Sequence, residues 1–148
     1  MIGETKPVRR IIVLLCALGL AACDTLAPKQ AAAPTCPLPG QDRYAIVQLF
    51  FGRTISGRGP ITDAEWNDFV ARAITPQFPD GFTVTDGAGQ WYDQASGKLI
   101  QEPSKILLVA ADPESDLKTR IGSVIGAYRA QFQQRTVGVI TSEACAAF

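Results

Sequence analysis

Two runs of this chain, Tyr44–Phe51 (YAIVQLFF) and Lys105–Ala111 (KILLVAA), are apolar at successive positions, not at alternate ones. Gln48 is the sole interruption of the first run. Their length and residue types favour strands over helices. A strand that is apolar on both sides belongs in the middle of a sheet, with both of its faces covered. Any fold for this chain has to place both runs there.

The intervening signals supply the partners. Thr62 and Glu65 form a capping box, and Ile61 and Trp66 stand where a hydrophobic staple needs them. Trp66, Phe69, Val70, Ala73 and Ile74 then keep one helical stripe. That helix should stop near Thr75, because the residue before Pro76 is disfavoured in the helical region. Asp112-Pro113 reads as the cap and first turn of a second helix, with Leu117, Ile121, Val124, Ile125, Tyr128 and Phe132 as its stripe. Gly122 and Gly126 on that helix suggest close approach to a sheet. Thr136–Thr141 (TVGVIT) reads as the last strand.

Between the helices lies Pro76–Asp93 (PQFPDGFTVTDGAGQWYD). Its composition suggests a short strand, a turn at Asp86–Gly89 and a second extended piece, with Lys98–Glu102 extending again. The order is therefore β-α-β-β-α-β: an α+β, ferredoxin-like sandwich, with an antiparallel sheet, two helices on one face and an extra hairpin. The first and third strands are central in that arrangement, and they are the two doubly apolar runs. Two helices cover one face of such a sheet. The other face then needs a second copy, a ligand or the long hairpin folded over it.

The N-terminus reads as an address. Lys6, Arg9 and Arg10 precede an apolar run, Ile11–Ala22, too short for a permanent span. It ends Leu20-Ala21-Ala22-Cys23, which resembles the bacterial lipobox. The resemblance implies a signal peptide over 1–22 and a membrane anchor through acyl chains, palmitate among them, on Cys23. Asp24 resembles the inner-membrane retention signal of enteric bacteria, a rule that varies, so inner and outer membrane both stay open. Residues 23–40, rich in proline and alanine, form a tether, and 41–148 a single domain in the periplasm-facing envelope. Cleavage removes Cys16 and lipidation consumes Cys23, leaving Cys36 and Cys145 in an oxidising compartment. Cys36 precedes the first strand and Cys145 follows the last, and these strands are antiparallel neighbours in this topology. A Cys36–Cys145 disulfide is expected.

The lipobox together with Phe51-Gly52-Arg53, Glu65-Trp66 with Phe69, Phe78-Pro79-Asp80-Gly81-Phe82-Thr83, Gly89-Gln90-Trp91 and Glu102 resembles a bacterial family known only as a domain of unknown function, number 3574. The likeness spans roughly Tyr44–Ile140, and Phe78–Trp91 is its specific part. It implies a secreted lipoprotein and no mechanism.

The chain has no histidine, which removes Ser-His-Asp and Cys-His chemistry and His-ligated metals. The formal net charge is +0, and loss of Glu4, Lys6, Arg9 and Arg10 leaves the mature chain slightly acidic, so nucleic acid is not a partner. Asp80, Asp86, Asp93 and Glu102 crowd one hairpin, as turn and surface residues, as an acid–base pair or as oxygen ligands of a hard cation, although no spacing matches a calcium loop. Trp91 reads either as a cross-strand cover or as a platform facing a ligand. Arg53 and Arg58 flank a glycine-containing loop before a helix, a weak anion signal without a Walker A lysine. Arg53, Asp80, Trp91 and Glu102 are therefore the candidate contacts, with no catalytic residue, metal or cofactor assigned. A non-catalytic binding domain is the leading reading, with a homodimer or another envelope protein as partner. A carboxylate-based enzyme with a pocket on the open sheet face and a purely structural dimer are the alternatives.

Overall fold

A computed structural model of the chain describes residues 35–148. The expected signal peptide (1–22), the expected lipidation at Cys23 and the expected tether as far as Pro34 lie outside the described residues. The elements are β1 (Asp42–Gly52), α1 (Asp63–Phe69) continued by a π-helical turn (Val70–Ile74), β2 (Thr83–Asp93), β3 (Lys98–Ala111), α2 (Leu117–Phe132) and β4 (Gly138–Ala146). The sheet order is β2-β3-β1-β4, and every neighbouring pair is antiparallel. This is the ferredoxin-like α+β arrangement, with the two doubly apolar runs in its central strands.

Strand alternation divides those runs between two faces. Val47, Leu49 and Phe51 of β1 and Leu107, Val109 and Ala111 of β3 are buried against the helices. There they meet Trp66 and Phe69 of α1, Ile74, and Val124, Tyr128 and Phe132 of α2. Phe51 and Tyr128 sit at the centre, edge to face at 4.6 Å. The opposite positions, Tyr44, Ile46 and Phe50 of β1, Ile106 and Leu108 of β3 and Ile140 of β4, share the open face by register. Leu108 is 40% and Ile140 54% exposed there.

The helix start follows its local code. Thr62 Oγ1 accepts from the Glu65 N–H at 3.2 Å and Glu65 Oε2 accepts from the Thr62 N–H at 2.8 Å. Ile61 and Trp66 are both buried beside that box. The helix end departs from expectation in its reason. Thr75 keeps right-handed helical angles, φ −53° and ψ −42°, so Pro76 does not push it out. Instead Pro76 brings no N–H to continue the ladder, and the last turn has already widened, with the Thr75 N–H donating to Val70 O.

Four expectations need correction. Asp86–Gly89 is not a turn: β2 runs unbroken from Thr83 to Asp93, and the hairpin turns over residues 94–97. Gly87 belongs in that strand because a Cβ there would lie 2.8 Å from Ser104 Oγ. The extra hairpin is the outer part of β2 and β3, where Lys98–Pro103 pair with β2 beyond the end of β1. Asp112-Pro113 does not open α2, which begins at Leu117; Asp112 Oδ1 instead accepts from the Glu114 N–H in a preceding turn. Gly122 and Gly126 do not approach the sheet, since nothing lies within 4 Å of a Cβ at either. Finally, β4 starts and ends later than expected, so Cys145 lies inside it.

Cys36 and Cys145 are bridged, with Cα atoms 5.6 Å apart. The register pairs Arg43 of β1 with Cys145 of β4, so the segment leading into β1 passes the end of β4.

Candidate functional site

Sheet parity decides which candidate residues meet. Gly52 faces the open side and Arg53, one residue on, faces the helices. The Arg53 side chain donates through Nε to Ile61 O at 2.8 Å and pairs with Asp63 at 3.0 Å. Asp63 also lies 3.4 Å from Lys105 Nζ, which in turn is 2.6 Å from Asp86. Lys105 and Arg53 hold the Asp63 carboxyl below its usual range. Arg58 pairs with Glu65 at 2.8 Å. Both guanidinium groups of the proposed anion loop therefore already carry carboxylate partners.

Trp91 and Glu102 do meet. In the β2–β3 register Gly89 opposes Glu102 and Trp91 opposes Ile100, and all four positions face the open side. They line a groove of about 880 Å³ at the hairpin end of the sheet, together with Phe50, Gly52, Ser104, Gln134 and Arg135. Trp91 is 46% exposed into it. The Glu102 carboxylate rests against Gly52, where a Cβ would overlap it, and among the described residues accepts a single long hydrogen bond, from the Thr54 N–H at 3.4 Å. Across the sheet, the Tyr128 hydroxyl donates to Gly52 O at 2.9 Å. Burial, and then the negative charge of Glu102, raise its pKa well above the ordinary phenol value, so it stays a donor.

Asp80 lies elsewhere, on the rim of a second cleft of about 560 Å³ that also includes Phe82, Leu108, Arg120 and Phe148. Arg120 fixes this side of the molecule: its Nε donates to Gln77 O at 2.6 Å and its guanidinium stacks over Phe78 at 4.8 Å. Asp93 serves the hairpin turn, accepting from Ser96 and from the Ala95 N–H, and the Ser96 hydroxyl lowers its pKa. Among the described residues no group of three His, Cys, Asp or Glu side chains could hold a metal ion.

Residues 47–148 match the family described as "Protein of unknown function (DUF3574)". The chain belongs to the DUF3574 family. No curated protein matches it. Among solved structures, a phage SAM lyase in complex with S-methyl-5'-thioadenosine is similar, with a TM-score of 0.54 and 16% identity over 71% of this chain and 90% of that one. The phage SAM lyase in its apo state also has a TM-score of 0.54, with 15% identity over 78% of this chain and 97% of that one. At such identity the likeness is one of fold.

In this DUF3574 domain two groups stand out among the residues quoted for the family resemblance. Trp66, Phe69 and Phe78 are core, and Gly81 turns the chain at φ +127°. Gly52, Gly89, Trp91 and Glu102 line the open-face groove. Sequence reasoning missed the glycines as part of the site. Their signal was legible only as turn chemistry, because what they clear space for lies on neighbouring strands.

Proposed function

We propose that this DUF3574 protein is an envelope lipoprotein whose domain binds a small ligand, without catalysis, in the groove on its open sheet face. The observation that carries the reading is the meeting of Trp91 and Glu102 in one groove on the sheet face that the helices leave uncovered. Concave sites with an aromatic wall and a few polar groups are the usual form of ligand sites. Native mass spectrometry of the full-length protein, released from detergent, tests it: wild type should retain a small molecule that Trp91→Ala loses. Retention by neither protein, or equally by both, would count against the groove. The sequence Leu20-Ala21-Ala22-Cys23 supports the anchor. Cys23→Ser should release the protein from membranes or stall its precursor; a mature, unlipidated chain still in the membrane fraction would refute the anchor.

Catalysis is the second reading, favoured by a carboxylate on the open face of a fold shared with a SAM lyase. Incubation with S-adenosylmethionine and mass detection of S-methyl-5'-thioadenosine separates the two. Product that forms with wild type and not with Glu102→Gln would replace binding by an enzyme.

A further inference from the structure

We propose that the groove selects an organic cation, which it holds between the Glu102 carboxylate and the Trp91 indole. This deepens the binding reading above and rests on it.

The first argument is charge. Glu102 is half-buried, and among the described residues no cationic side chain pairs with it. Lys105, the nearest cation in sequence, points through the other face to Asp63 and Asp86, and Arg53 likewise turns there to Ile61 O and Asp63. Arg135 and Asp93 both line the groove and carry opposite charges. With Arg135 and Asp93 offsetting each other, the groove keeps the negative charge of Glu102. A partly desolvated carboxylate with one long hydrogen bond is stabilised by any cation that reaches it.

The second argument is shape, and it is independent of charge. By register Ser104 lies between Gly52 of β1 and Gly87 of β2, and Glu102 lies opposite Gly89. All of these positions face the open side, so no side chain stands directly opposite Glu102 on β2 or beside Ser104 on either neighbouring strand. The result is a trough with a backbone floor, a carboxylate in it and apolar walls from Trp91, Ile100 and Phe50. A hydrated metal ion would find no set of three His, Cys, Asp or Glu ligands among the described residues. A bulky ammonium or sulfonium group instead presents positive charge to the carboxylate and the indole face together, while its alkyl surface meets the walls.

The test is isothermal titration of the full-length protein in detergent with choline and with its neutral isostere, 3,3-dimethylbutan-1-ol. Wild type should prefer choline by about tenfold. Glu102→Gln keeps the shape and removes the carboxylate charge, so it should lose most of the preference for choline, keeping only the part due to the Trp91 indole, with an unchanged melting temperature. Trp91→Ala should weaken both. Equal affinity of wild type for the two probes, or no binding of choline, overturns the cation proposal. Neither result touches the ligand-retention experiment, whose failure alone would remove the binding site itself.

Discussion

Glu102 occupies the space that a side chain at Gly52 would need: a Cβ there would overlap its Oε1 and lie 2.7 Å from its Cδ. The obstructing atoms are the end of a flexible side chain, so Gly52→Ala should swing the carboxylate aside and leave the fold intact. The expected change in urea-unfolding free energy is under about 1 kcal/mol, with any preference for a cationic ligand lost. A cost of several kcal/mol would mean that position 52 is glycine for a backbone reason.

The Cys36–Cys145 bridge joins residues 109 apart. Closing so long a loop restricts the unfolded chain, and the chain-entropy account puts its contribution at about 4 to 5 kcal/mol. Cys145→Ser should lower the midpoint of denaturant unfolding accordingly, and reductant should then have no further effect. Peptide mapping without reductant should recover the two cysteines in one linked peptide pair; finding both alkylatable would refute the bridge.

Acid should weaken the start of α1. The Thr62 N–H, with the Arg58 guanidinium and the Thr62 hydroxyl, pulls the Glu65 carboxyl down to about 2. A folded-state pKa below the unfolded one gives stability that is full above the unfolded value of 4.5 and is lost as pH falls through about 2. Glu65→Ala should therefore melt below wild type at pH 7, and the gap should close as pH drops from 4.5 towards 2. A gap independent of pH would show that the carboxylate charge contributes nothing to the cap.

Lys105 is buried while its partners Asp63 and Asp86 are exposed. Removing the lysine leaves two carboxylates in water; removing both aspartates leaves a desolvated ammonium without an answer. The double variant Asp63→Ala/Asp86→Ala should consequently unfold at lower denaturant than Lys105→Met. The reverse order would show that Lys105 is hydrated in solution.

The legible parts of this chain were those with local causes. The capping box is written within four consecutive residues, and the central strands announce themselves by apolar positions on both faces. The disulfide followed once the topology did. What misled were local signals with distant causes. Asp86–Gly89 has the residues of a turn, yet Gly87 is small because Ser104 and Ile106 lie across the ladder. Asp112-Pro113 has the residues of a helix cap, yet it shapes the turn before the helix. The site was half legible. Trp91 and Glu102 converge through a strand register that no periodicity reveals. Arg53 was excluded by parity alone, since it follows an open-face residue by one position.

The bridge to Cys145 also decides where mechanical load goes. A pull on the chain before Cys36 would otherwise peel β1, a central strand, out of the sheet one residue at a time. With Cys145 linked to Cys36, the same tension reaches the ends of β1 and β4 together, at a point where the two strands are already paired. β1 and β4 cannot then be unzipped from one another at that end, and force has to act on the pair as a unit against β3.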